Sequence, residues 1–169
     1  TLEQLRDLDE NSDQLNSELL DIIAETLSCE QKEITEIEPL KKGMTNRSFR
    51  FRCGEKRYIM RVPGEGTDKM INRSQEYDVY QVIGPKGICD PVRYMSKEKG
   101  YKITEFLDGA RVCNPLEYED VKKCMKYLRA FHELKLKVSH EFDIFGQIEF
   151  YETLWDGVPS VYKDYKKTK

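Results

Sequence analysis

No apolar run in this sequence extends beyond a few residues, so no segment reads as a bilayer-spanning helix. The opening residues are polar and acidic, unlike the basic and apolar start of a secretory signal. Histidine is scarce: His132 and His140 are the only two, and neither stands at zinc-ligand spacing to a cysteine. None of the five cysteines (Cys29, Cys53, Cys89, Cys113, Cys124) forms a CxxC pair. An odd, scattered set is the expectation for reduced thiols in a cytoplasmic protein, packed as small hydrophobes. An excess of one charge is lacking too. Lys and Arg number 28 against 31 Asp and Glu, and the net charge is only -3. Interspersed charges read as a solvated surface and give no electrostatic footprint for nucleic acid. The short basic stretch at 163–169 reads as a helix end or tail. There is no internal repeat, no GxGxxG and no GKS or GKT.

What is present suffices for a core: 38% of the 169 residues are hydrophobic, too many for a disordered chain. The chain begins at Thr1 instead of Met, the expectation for a segment of something longer. Residues 1–13 are acidic, with Leu2, Leu5 and Leu8 at three-residue spacing, and read as a linker or the end of an upstream helix. Leu15, Leu19, Ile22, Ile23 and Leu27 recur at helical spacing, with Ser12 or Asp13 available as a cap. Residues 34–40 alternate as a strand, and Pro39 places it at an edge. Strands are predicted over 48–53, with Phe49, Phe51 and Cys53 on one face, and over 57–62, joined by Gly54-Glu55. A helix is predicted over 67–83 and ends at Gly84-Pro85-Lys86-Gly87. Short strands follow at 91–95 and 101–106, then a helix at 117–136 with Val121, Cys124, Met125, Leu128, Phe131 and His132 as its inner stripe. The aromatic-rich remainder reads as short helices. The expected class is α+β: a five-stranded antiparallel sheet with a helix inserted after its third strand, the plan of a protein-kinase-like N-lobe. The domain reading is 1–13 linker, 14–108 lobe, and 109–169 the hinge and start of a helical C-lobe.

Three features could do chemistry. Gly43-Met44-Thr45-Asn46-Arg47-Ser48 joins two strands with one glycine and several polar donors. It reads either as a phosphate-covering loop or as a plain hairpin turn. Arg61 lies on the same face of its strand as Ile59, where a cation needs a partner or a ligand. Kinase folds place a lysine there, paired with a helix glutamate, and Glu76 is the natural partner. The alternative is a surface arginine. Ile103-Thr104-Glu105-Phe106-Leu107-Asp108-Gly109 ends a strand, and is either a nucleotide hinge or a simple strand exit.

The wording of these segments is familiar. Gly43-Met44-Thr45-Asn46-Arg47-Ser48-Phe49, then Arg57-Tyr58-Ile59-Met60-Arg61-Val62-Pro63-Gly64-Glu65-Gly66-Thr67, then Ile71-Asn72-Arg73-Ser74-Gln75-Glu76, resembles bacterial choline kinase. That family lies within the choline/ethanolamine kinase and aminoglycoside phosphotransferase superfamily. Phe131-His132 and Phe145-Gly146-Gln147-Ile148 also look like the start of its C-lobe. The first residues resemble the closing helix of a nucleotidyltransferase, as in a phosphocholine cytidylyltransferase–choline kinase fusion.

The resemblance implies roles. Gly43, Thr45, Asn46, Arg47 and Ser48 would form the phosphate loop. Arg61, oriented by Glu76, would hold the ATP phosphates, and Glu105, Phe106 and Leu107 would read adenine. It implies ATP and choline as substrates, and Mg²⁺ held by residues of a C-lobe. The alternatives are a kinase for ethanolamine, thiamine or an aminoglycoside, and a non-catalytic lobe-shaped binding or dimerisation module.

The chemistry itself is not here. The superfamily uses an HxDxxxxN-type loop and a further metal-binding Asp, and no asparagine follows Asn114. His140-Glu141-Phe142-Asp143 does not supply the loop. Asp143-Ile144-Phe145-Gly146 mimics DFG with one residue too many, and is expected as a structural turn. No catalytic residue is assigned. Tyr151 and Trp155 are candidate edges of an aromatic choline pocket, or core aromatics. The stripe of the 117–136 helix, left uncovered, would favour dimerisation.

Overall fold

The computed structural model describes residues 13–40, 46–64, 66–67, 70–155 and 157–168, with side chains from residue 17 onward. Its elements in chain order are α1 (Asp13–Leu27), β1 (Ile34–Leu40), β2 (Asn46–Cys53), β3 (Lys56–Pro63), α2 (Arg73–Ile83), β4 (Val92–Met95), β5 (Lys102–Glu105), α3 (Tyr118–Glu133), α4 (Ile144–Thr153) and α5 (Tyr165–Thr168). The five strands make one antiparallel sheet in the order β1-β2-β3-β5-β4. The class is α+β, with the helix inserted after β3.

Alternation sorts the sheet into two faces. One carries Phe49, Phe51, Tyr58, Met60, Val62 and Ile103, all buried, which join Leu19, Leu20 and Ile23 of α1 in a single core. Phe51 stacks on Tyr58 with ring centroids 5.6 Å apart. The opposite face carries Ser48, Arg50, Ile59, Arg61, Lys102 and Thr104, as the register Ser48↔Arg61, Arg50↔Ile59, Arg61↔Lys102 and Ile59↔Thr104 requires. The apolar face therefore builds the lobe, and the polar face meets α2.

The strand at 34–40 lies at the sheet edge and holds Pro39, but it does not alternate cleanly. A bulge between Thr35 and Glu38, with Glu36 at φ +50, turns both Ile34 and Ile37 into the core. The three-residue spacing of those isoleucines is the sequence trace of that extra residue.

The helix predicted over 67–83 is shorter. Thr67 O accepts from Met70 N and Ile71 N, closing a separate turn. The helix then starts at Asn72, whose side chain accepts from Gln75 N at 3.1 Å. Asparagine is a strong N-cap, and it resets the start by several residues. Glu76 consequently sits in the first turn of α2 and not in its middle. The Leu2/Leu5/Leu8 stripe and Ser12 lie outside the described residues.

α3 forms close to its predicted span and ends where Lys135 turns to φ +46. Its stripe of Val121, Met125, Leu128 and Phe131 is exposed. The linker before it is folded onto its first turn: Asp120 accepts from both Arg111 nitrogens, at 2.5 and 2.7 Å, and from Asn114 N at 3.0 Å. Residues 139–168 form a separate small unit. Within it Asp143 is the N-cap of α4, accepting from Phe145 N and Gly146 N. Trp155 packs on Tyr165, whose hydroxyl donates to Glu152 at 2.8 Å.

Candidate functional site

The polar face of the sheet meets the first turn of α2 in a cluster of charges. Arg61, from β3, donates both terminal nitrogens to the two carboxylate oxygens of Glu76, and one of them also to Gly100 O at 2.9 Å. A two-pronged guanidinium–carboxylate pair fixes orientation as well as distance. Glu76 takes a second guanidinium: Arg73, three residues earlier, reaches it at 3.3 Å. Arg73 also donates to Thr67 Oγ1 at 3.0 Å and reaches Asn46 Oδ1 at 3.5 Å.

Burial is deep for such charges. The side-chain exposures are 6% for Arg73, 13% for Arg61 and 23% for Glu76. Burial by itself would raise the Glu76 carboxyl, but the hydrogen bonds and charges of Arg61 and Arg73 outweigh it and hold it below the ordinary glutamate value of 4.5. The Nε atoms of both arginines are buried with no partner among the described residues. The three groups sum to one net positive charge.

Lys102 adds another cation on the same face. It is the direct cross-strand neighbour of Arg61, a pairing that repels unless each head group is engaged elsewhere. α2 engages both, one turn apart. Glu76 takes Arg61, and Tyr80 receives the Lys102 ammonium on its hydroxyl at 2.6 Å and against its ring at 4.2 Å.

The sequence-predicted residues divide over the two faces. Asn46, Ser48, Arg61 and Glu76 are brought to one side. Arg47 stands in register with Val62, on the opposite face, where its charge acts on Tyr101. Glu105 also points to that opposite face, where its carboxylate binds Arg93 and Lys56. Gly43 and Thr45 lie outside the described residues. Phe106 returns to the polar face, with the guanidinium groups of Arg57 and Arg50 at 4.9 and 5.3 Å from its ring centroid. The N–H of Glu105 goes to Pro91 O and that of Phe106 to Arg57 O. Sheet bonding thus uses two of the three candidate hinge donors.

Arg73 and Thr67 stand in the segments that carry the resemblance but were given no role there, and Gly100 and Lys102 were not singled out. A second signal for Arg73 was its place three residues before Glu76 on a helix. Gly100 is required twice. It has φ +67, and a Cβ there would lie 2.7 Å from Arg73 Cδ. Among the described residues no three His, Cys, Asp or Glu side chains gather as a metal site, and no helix is long and apolar enough to cross a membrane.

No protein-family model and no curated protein sequence matches the chain. Solved structures do. The chain is similar to choline kinase LicA from Streptococcus pneumoniae, with 26% identity and a TM-score of 0.71, over 89% of this chain and 53% of that one. LicA in complex with AMP matches with 26% identity and a TM-score of 0.63, over 87% of this chain and 52% of that one. A choline/ethanolamine kinase family protein from Mesorhizobium loti shares the fold, with 21% identity and a TM-score of 0.58, over 87% of this chain and 49% of that one. The chain spans about half the length of these proteins. With its five-stranded sheet, inserted helix and Arg61–Glu76 pair, the chain has a choline/ethanolamine kinase-like phosphotransferase fold.

Proposed function

We propose that this chain is the ATP-binding lobe of a choline kinase-like phosphotransferase, whose complete form converts ATP and choline to ADP and phosphocholine. The observation that carries the reading is the Arg61–Glu76 pair, held between β3 and the first turn of α2 on the face that also bears Asn46 and Ser48. A permanently charged, forked donor at that place suits phosphate oxygens. The buried Nε atoms and the net positive charge of the cluster fit a polyphosphate. LicA, the choline kinase that this chain is similar to, forms a complex with AMP. In this reading Arg61 and the chain around Gly43, Thr45, Asn46 and Ser48 hold the phosphates, with Asn46 and Ser48 at the start of β2 on the side of Arg61, and the segment from Leu107 reads adenine. Arg47, on the other face, is the member of the expected loop least suited to it. Mg²⁺ would shield the phosphates and polarise the transferred group. In this reading its ligands, like the catalytic base, belong to the C-lobe of the complete form. The choline assignment leans on the Pro63-Gly64-Glu65-Gly66-Thr67 wording and on the likeness to LicA.

Calorimetric titration with MgATP tests the reading. The chain binds, and Arg61→Ala weakens binding roughly tenfold or more, the worth of a charge-assisted hydrogen bond. Equal affinities would favour a non-catalytic module of the same shape. In a coupled assay with choline and ATP the chain gives no turnover above background, and turnover would overturn the assignment of the catalytic groups elsewhere.

A further inference from the structure

Glu76 carries one negative charge and meets two buried guanidiniums. If Glu76 served only to orient Arg61, one arginine would suffice, and the pair would be neutral. The second is not a surface accident. Arg73 is 6% exposed, its stem lies against the backbone of Gly100, and its head group joins three separate pieces of chain. Those pieces are Asn46 at the start of β2, Thr67 in the turn after β3, and Glu76 on α2. Thr67 is itself fixed, donating to Gly64 O at 2.7 Å. Arg61 reaches the same carboxylate and, through Gly100 O, the same glycine.

We propose that Arg73 is a positioning residue for the polyphosphate of the nucleotide, acting through Glu76 and Arg61. It balances Glu76, so that the charge of Arg61 is left uncompensated toward the start of β2 at Asn46. It also ties the start of β2 and the turn at Thr67 to α2, so that these three pieces move as one. The contribution is electrostatic and scales with the charge of the ligand: it favours a triphosphate strongly and a monophosphate little. The inference rests on the nucleotide-lobe reading given above.

The test is the ratio of MgATP to AMP affinity, measured by calorimetry on the 169-residue chain. Arg73→Gln lowers MgATP affinity on the order of tenfold, the scale of one partly shielded charge at close range, and leaves AMP affinity unchanged. Arg73→Lys retains the charge and restores most of the ratio. A merely structural Arg73 would weaken both ligands by the same factor, and that result overturns the proposal. Should Arg73→Gln fail to fold, Arg73→Met decides. It keeps most of the stem and removes the charge, so the ratio falls in the same direction, and an unchanged ratio refutes the inference. MgATP binding that is lost in Arg61→Ala but unaltered in Arg73→Gln sinks this proposal alone. No MgATP binding by the unsubstituted chain sinks the nucleotide-lobe reading and this proposal with it.

Discussion

Replacing Glu76 by glutamine leaves two buried guanidiniums facing each other without their shared counter-charge. Removing one partner of a fully buried ion pair costs about 3–5 kcal/mol. Here the cost is smaller for reasons visible in the structure. Glu76 keeps 23% side-chain exposure, Arg61 retains Gly100 O, and Arg73 retains Thr67 and Asn46. Glutamine also offers one oxygen as an acceptor. A loss of about 2 kcal/mol follows, or roughly 4–8 °C in melting temperature for a chain of this size. The pH dependence identifies the cause. The Glu76 carboxyl is depressed below 4.5 in the folded state, so its stabilisation is complete above that value and is lost as pH falls through the depressed one. Glutamine stays neutral throughout. Melting curves followed by far-UV circular dichroism therefore show the full gap between parent and Glu76→Gln at pH 7. The gap closes on the acid side of 4.5, and all other carboxylates cancel in the comparison. Equal melting temperatures at pH 7 would refute the reasoning, as would a gap that persists undiminished into strong acid.

Gly100→Ala places a methyl group against Arg73 Cδ at a backbone angle of +67°, so it destabilises by more than ~1 kcal/mol, read as a lower urea midpoint. Burial, then the hydrogen bond and charge of Cys53, push the Cys29 thiol up to about 12. At pH 8 Cys29 is expected to react with a disulfide reagent more slowly in the folded chain than in denaturant, since less of it is thiolate, as mass mapping would reveal, and equal rates would contradict the assigned environment. The exposed stripe of α3 is expected to drive self-association, with a sedimentation coefficient that rises with concentration and a Leu128→Glu variant that stays monomeric. A concentration-independent monomer for the parent chain would count against this.

The sequence alone determined the five antiparallel strands and the helix after the third; the order β1-β2-β3-β5-β4 came from the tertiary structure. Phe49/Phe51 and Tyr58/Met60/Val62 alternate cleanly, and Gly54-Glu55 and Gly84-Pro85 punctuate the chain where the elements end. Period and turn chemistry are local, so they are legible in one dimension. The pairing of Arg61 with Glu76 was legible too, because a cation on the open face of a strand needs a counter-charge. Only the tertiary structure decided the rest of the cluster. Arg73 meets Glu76 at helical spacing, but it also touches Asn46 27 positions earlier, and Gly100 presses on it from 27 positions beyond, neither at a spacing that a periodic pattern records. The start of α2 was decided by a single cap at Asn72 that competes with the apolar period before it. The division of Asn46 and Ser48 from Arg47 and the Glu105 side chain followed from register, since one residue along a strand exchanges its faces. Composition and period thus set which elements form, and which charges meet across the polar face depends on long-range register and side-chain reach.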